Sequence, residues 1–420
     1  MSNKDSITRL QQHGVPSIPA TWTQTRVKYL GTYINGYPFK PDDWGPIGRP
    51  ILRIQNLSSK QQAPNRFAGE IPDRYLVKSG DVLISWSASL GVYVWDGEES
   101  WLNQHIFKVM LDEQRINKEF FVWLAQWFIT EMEREVHGST MQHLTSDAFG
   151  SFPVLVPPPR EQNQISSYLS KQVARVDALL AAKNRLLALI AEKRQSLTAR
   201  AVTLGLDPRA PLRKTNILGL DQIPLHWRTE RAKWLFTERD DRTTTGEETL
   251  LSLRMDVGLI PHNEVSEKAT HSEDLVGYKM ASKGEIVLNR MRAASGLVAV
   301  APQDGLVSPD YAVFKAGSDV DPHFFAHLFK TNLMQTVFRS ESTGLGTGAS
   351  GFLRLYSENF LTLSLPVPPL SEQKAIVDYI TAESARLGLL QAAAETTIAM
   401  LRERRTALIA AAVTGQLHVG

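Results

Sequence analysis

Arg53, Gln55 and Asn56 leave a short apolar run together, and Arg254 and Asp256 leave a matching run in the second half of the chain. Asn289, Arg290 and Arg292 cluster at the end of another such run, and Gln142 and His143 follow the loop Gly138-Ser139-Thr140. Arginine meets a guanine edge with two hydrogen bonds, asparagine and glutamine meet adenine, and aspartate accepts from the cytosine amino group. Ser139, Thr140, Thr343 and Thr347 are hydroxyl residues in loops that also hold glycine, a type that binds phosphate through hydroxyl and backbone N–H groups. Taken singly, each is an ordinary solvated loop residue. Their recurrence at equivalent places in two halves of the chain makes the set a candidate surface for reading double-stranded DNA.

The sequence holds no comparable set for catalysis. It lacks the glycine-rich phosphate loop ending in Gly-Lys-Ser/Thr, the His-Glu-x-x-His zinc helix, and the Asn-Pro-Pro-aromatic run used beside a flipped base. Thr343-Gly344-Leu345-Gly346-Thr347-Gly348-Ala349-Ser350-Gly351 is glycine-rich, but it opens no βαβ unit and reads as a flexible loop. The ten histidines are scattered without metal-ligand spacing, and with no cysteine the chain has no disulfide, thiolate-bound zinc or thiol catalysis. We expect no catalytic residue, no metal and no cofactor on this chain.

At 420 residues, 43% hydrophobic and 21% charged, the chain exceeds the usual size of one core and is too apolar for wholesale disorder. The absence of a long apolar run or a signal-type N-terminus predicts a cytoplasmic protein with no membrane partner. A net charge of +2 is no bulk polycation, so any phosphate contact must come from local charge. Residues 159–206 carry eight lysines and arginines against three acids, which is either a solvated helix face or such a local patch.

The elements that position these residues are written twice. Ile18-Pro19-Ala20-Thr21-Trp22-Thr23-Gln24-Thr25-Arg26-Val27-Lys28-Tyr29-Leu30 returns 205 positions later as Ile223 to Leu235 with six of thirteen residues identical. Val156–Leu206 matches Val367–Leu417 at an offset of 211 in 21 of 51 positions, where chance gives about three. Each half predicts an α/β (α+β) globule. In the first, Ile51–Leu57, Asp81–Trp86, Gly91–Trp95 and His105–Leu111 read as strands and Lys118–Val136 as a helix. In the second, Leu250–Met255, Glu285–Arg290, Leu297–Ala301 and Tyr311–Lys315 read as strands and Pro322–Phe338 as a helix. Phe120, Phe121, Trp123, Trp127 and Phe128 fall on the core face of the first helix rather than forming a base-stacking platform.

Each globule ends at a proline junction, Val156-Pro157-Pro158-Pro159-Arg160-Glu161-Gln162 and Val367-Pro368-Pro369-Leu370-Ser371-Glu372-Gln373, followed by a long helical pattern. Ile165, Leu169, Val176, Leu180, Leu187, Ile190 and Leu197 form one apolar stripe, and Ile376, Ile380, Leu387, Leu390, Ile398, Leu401 and Leu408 form its copy. About 45 residues make a rod of about 65 Å. A rod with an apolar stripe needs a partner, so the two are expected to pack as an antiparallel coiled coil. The domain boundaries this predicts are 1–155 and 207–366 for the globules, 156–206 and 367–420 for the helical spacers.

These residues resemble the DNA-specificity (S) subunits of type I restriction–modification systems. The likeness rests on the duplicated Ile-Pro-x-x-Trp-x-x-x-Arg-x-Lys start, Asn103-Gln104-His105, Leu306-Val307-Ser308-Pro309-Asp310-Tyr311 and the Pro-Pro…Glu-Gln helix starts. It implies two target-recognition domains, each reading half of a bipartite DNA site, on helices that set the gap between the halves. It further implies docking of two modification (adenine-N6 methyltransferase) subunits that carry S-adenosylmethionine, joined in restriction complexes by motor-nuclease subunits. The residues alone leave two other readings open: a free-standing, repressor-like DNA-binding pseudo-dimer, or a coiled-coil scaffold for proteins.

Overall fold

The computed structural model describes residues 8, 10–13, 15–58, 63–87, 89–137, 146–266, 271–345 and 352–419. The chain divides into two compact units, one of Met1–Asn184 with Glu395–Gly420 and one of Arg185–Ala394. Each unit therefore owns one globule together with part of both long helices. Among the described residues no helix is long and apolar enough to cross a membrane.

The first unit is built on an antiparallel sheet in the order Gly31–Asn35, Ile106–Leu111, Val82–Ser85, Gly91–Val94. The second repeats that order with Phe236–Arg239, Tyr311–Ala316, Ile286–Asn289, Val298–Val300. The two sequence echoes also find each other. Thr23–Arg26 pairs with Pro153–Val156, Thr23 facing Val156, and Arg228–Arg231 pairs with Ser364–Val367, Arg228 facing Val367. The first echo thus closes the globule that it opens against the start of the second.

Around these common parts the units differ. The first carries a small sheet in the order Arg66–Phe67, Arg49–Leu52, Ser100–Leu102, Leu76–Val77. The second keeps a counterpart of the Leu76–Val77/Ser100–Leu102 pair, Lys279–Ala281 with Gly305–Val307, but carries a hairpin, Leu251–Arg254 with Gly258–Pro261, where the first has Arg49–Leu52 and Arg66–Phe67. The strand expected over Ile51–Leu57 stops at Leu52, and Ile54–Ser58 is helical. The cause is local: Asn56 Oδ1 accepts the Arg53 amide at 3.1 Å and the Asn56 amide returns to the Arg53 carbonyl, turning the chain out of the pleat. His105 likewise precedes its strand rather than lying within it.

The helix expected over Pro322–Phe338 is two helices, Pro322–Phe329 and Asn332–Ser340. Buried Thr331 causes the break, its hydroxyl donating to the Leu328 carbonyl at 2.6 Å and accepting the Met334 amide at 3.3 Å. That is N-cap geometry, and it outweighs the continuous apolar pattern. In the first unit the corresponding helix, Lys118–His137, is unbroken and buries Phe120, Phe121, Leu124 and Phe128 completely.

The long helices run over Pro159–Leu204 and Leu370–Val413. Each is followed by a glycine at φ +75°, Gly205 and Gly415, where a left-handed residue ends the helix. A Cβ on Gly415 would sit 2.4 Å from Pro19 Cγ, so that stop also fits the helix end against the repeated Ile-Pro-x-x-Trp segment. In the first unit Ile165, Leu169 and Val173 share a core with Ile409, Ala412 and Val413, and Arg405 Nε donates to Asp177 Oδ1 at 2.9 Å. In the second, Ala201 and Val202 share a core with Ile376 and Ile380, and Arg194 Nη2 reaches Gln391 Oε1 at 3.5 Å. In both units rising number on one helix meets falling number on the other, so the helices pack antiparallel. Ile165, Leu169, Val176, Ile190, Ile376, Ile380, Leu387 and Ile398 of the expected stripe are buried, and Leu180, Leu187, Leu197, Leu401 and Leu408 half-buried. Leu390 does not join them and is 52% exposed, while Ala394 fills the buried place.

Candidate nucleic-acid interface

The outward parts of each globule are turns held by short side-chain hydrogen bonds. In the second unit the hairpin Leu251–Arg254/Gly258–Pro261 packs Leu251, Leu253 and Leu259 against Val287 and Ala299 of the sheet region. Its tip, Arg254, Met255, Asp256 and Val257, is exposed throughout. Gly258 closes the tip at φ +80°, a conformation that suits glycine. Arg254 and Asp256 thus stand on a projecting, internally braced hairpin.

Asn289, Arg290 and Arg292 share one turn but do different things. Asn289 Oδ1 accepts the amides of Met291 at 3.0 Å and Arg292 at 3.1 Å, fixing the turn rather than facing outward. Arg290 Nε donates to the Asp310 carbonyl at 2.8 Å and Nη2 to the Pro309 carbonyl at 3.2 Å. Its guanidinium therefore buttresses the Ser308-Pro309-Asp310-Tyr311 segment, and only Arg292 of the three is exposed. Asp310 is held again by Arg354 at 3.3 Å, on the strand Phe352–Arg354 that pairs with Thr343–Leu345. Thr343 is exposed at the start of that pair, and Thr347 lies outside the described residues.

In the first unit the Arg53 guanidinium lies over the Trp44 ring, 4.7 Å from its centroid. Gln55 is exposed on the short helix, and Asn56 is buried in the cap already described. Ser139, Thr140, Gln142 and His143 lie outside the described residues. At the place of the Asn289 turn the first unit has Ser85 and Trp86. Ser85 Oγ donates to the Ser89 carbonyl at 2.6 Å, and the Trp86 indole donates to Asn35 Oδ1 at 3.2 Å while its ring lies 5.5 Å from exposed His105. Trp44 and Trp86 were not among the expected contact residues; for Trp86 the signal was an aromatic at the end of a strand.

A second feature went unread. Buried Gln162 donates from Nε2 to the Arg115 and Pro157 carbonyls at 3.0 and 2.9 Å, and its Oε1 accepts the Asn117 amide at 2.8 Å. Gln373 repeats all three bonds, to the Asp319 and Pro368 carbonyls and from the Asp321 amide, at 3.1, 2.9 and 2.7 Å. Both glutamines belong to the Glu-Gln pair expected only to suit a helix start. They instead bolt the first turn of each long helix to the loop that begins the globule's main helix. The paired glutamates reach the other way: Glu161 accepts the Trp22 indole at 2.8 Å, and Glu372 meets His226 Nε2 at 2.7 Å.

This geometry has two rigid frames of one plan with unlike projecting turns. The family model for the type I restriction modification DNA specificity domain matches residues 19–188 and 264–394, more than half of the chain. The chain belongs to that family. Among DNA-specificity relatives, the EcoBI specificity subunit of Escherichia coli is 22% identical over 430 aligned positions, spanning 96% of this chain and 88% of that protein. The MjaVIII specificity subunit of Methanocaldococcus jannaschii is 20% identical over 387, spanning 88% and 87%. Two solved chains share the fold. One, from a structural account of complex assembly and conformational transition of the type I R-M system, superposes with a TM-score of 0.70 at 17% identity over 96% of this chain and all of its own length. The HsdS subunit of Thermoanaerobacter tengcongensis superposes at 0.52 and 16% identity over 97% of this chain and all of its own.

Proposed function

We propose that this chain is the non-catalytic specificity subunit of a type I restriction–modification complex, in which each globule reads one half of a bipartite duplex site. The observation that carries the reading is the contrast within the duplication. Sheet order, strand closure and glutamine clamp are kept in both units, while the projecting turns differ: Trp44–Arg53 and Trp86 in one, the Arg254–Val257 hairpin tip and Arg292 in the other. Like frames with unlike edges suit a target whose two halves have unlike sequences. The long helices set the gap between halves, and they also offer a docking face. Leu179 and Met400 in the first unit's part of them, and Leu189, Leu389 and Leu390 in the second's, are each more than half exposed, apolar side chains available to two modification subunits carrying S-adenosylmethionine. Motor-nuclease subunits complete the restriction form.

Sequencing the methylated sites of a host that expresses this chain with its modification subunit tests the reading. Arg292→Ala is expected to relax one base position in one half-site, a loss of about 1–3 kcal/mol in discrimination, with the other half and the gap intact. Arg290→Ala is expected instead to lower the stability of the second unit, since its guanidinium is spent on carbonyls. Unchanged methylation in the Arg292 variant, or a change in both halves at once, contradicts the assignment.

A further inference from the structure

The repeat makes the two helix pairs comparable residue by residue, and one ion pair is missing from one of them. At the offset of 211, Arg194 corresponds to Arg405 and Asp177 to Gly388. In the first unit Arg405 Nε is held by Asp177 at 2.9 Å. In the second, position 388 has no side chain, and a Cβ built there would meet nothing within 4 Å. Arg194 Nε is buried and has no hydrogen-bond partner, and its Nη2 has only the 3.5 Å contact with Gln391. Buried guanidinium donors without an acceptor are costly, and a water or an ion is what such a group calls for.

What surrounds Arg194 fits that acceptor. It lines a cavity of about 720 Å³ together with Ser196, His327, Lys330 and Asn332. Lys330 makes no ion pair among the described residues, and desolvation lowers its ammonium pKa although much of its surface is exposed. Glu192 and Asp256 also line the cavity, but neither forms an ion pair with Arg194. We propose that the second unit holds a phosphate-binding site at Arg194, which lacks the carboxylate partner that Asp177 gives its counterpart Arg405 in the first unit. Arg194 gives the forked charged contact, Lys330 a second cation, and the Ser196 hydroxyl and Asn332 amide neutral donors. The phosphate is free in solution or belongs to the DNA backbone; the second source rests on the function proposed above, and the first does not.

Titration of the full chain with inorganic phosphate, followed by phosphorus NMR, tests the site. Wild-type protein should show saturable binding. Arg194→Gln and Gly388→Asp should each weaken it at least about tenfold, the loss of a charge-assisted contact. Gly388→Asp rebuilds the first unit's ion pair in open space, so it should raise the melting temperature while weakening phosphate binding. Asp177→Asn should leave phosphate binding unchanged. In a parallel duplex titration, a salt slope reduced by about one in Gly388→Asp assigns the phosphate to DNA, and an unreduced slope assigns it to free phosphate. A chain that binds no duplex sinks the proposed function but leaves the phosphate titration standing. No saturable phosphate binding, together with an unreduced duplex slope, or binding that survives Gly388→Asp, overturns the proposal.

Discussion

Gln373 and Gln162 show how much one side chain can decide. Each is fully or almost fully buried and satisfies two carbonyls and one amide. Gln373→Leu keeps the bulk and removes the three bonds, of which the one to the Pro368 carbonyl is buried and the other two are part-buried. Chemical denaturation should find the second unit less stable by about 2–4 kcal/mol, and a loss under about 1 kcal/mol would mean that water replaces the amide. The Glu-Gln pair was visible in the sequence because it recurs, yet its use was not. Spacing says that two residues sit at a helix start; it does not say which way their side chains reach. Asn56, Asn289 and Arg290, expected among the base-reading candidates, each make local bonds to the backbone that spacing did not foretell. Residue types that read bases are also those that cap turns and hold carbonyls, and only the local backbone separates the two uses.

At the scale of elements, periodicity carried the long helices well because 46 and 44 residues of repeating pattern average out single exceptions. It failed where one polar residue outweighs a pattern, as at Thr331, and for strands of three residues such as Lys279–Ala281 that are too short to show alternation. The split helix pair also contains a titratable group. Burial, with Lys330 and His323 nearby, pushes the His327 pKa down to about 4, while Asp321 opposes weakly. The imidazole is therefore neutral in the folded unit, and its contribution is complete above the unfolded pKa of about 6.5. It is lost as pH falls from there to about 4, because protonation favours the unfolded chain. Equilibrium unfolding at pH 7 and pH 4.5 should show a drop of up to about 2–3 kcal/mol that is smaller in His327→Gln. Equal drops in both proteins would assign the acid sensitivity elsewhere.

For the molecule as a whole, duplication was the most legible property, since two echoes at offsets of 205 and 211 need no structural knowledge to see. Less legible was the way each compact unit draws on both long helices, because packing between residues 200 positions apart leaves no local trace. Between the ties Asp177–Arg405 and Arg194–Gln391 lies the helical stretch in which the chain passes from one unit to the other. Adding one helical turn of four residues to both helices in that stretch, after Leu179 and after Ala394, should lengthen the unread gap in the methylated sequence. Both half-sites should stay the same. Methylome sequencing that returned altered half-sites with the old gap would contradict a spacer role for the helices.

The strand pair that seals each globule has a consequence for ancestry. With Thr23 opposite Val156, and Arg228 opposite Val367, the chain leaves each globule beside the point where it came in. A segment exchanged between those points at the flanking echoes would enter without moving the scaffold that received it, so a change of reader asks only that the two ends of the new segment close the same strand pair.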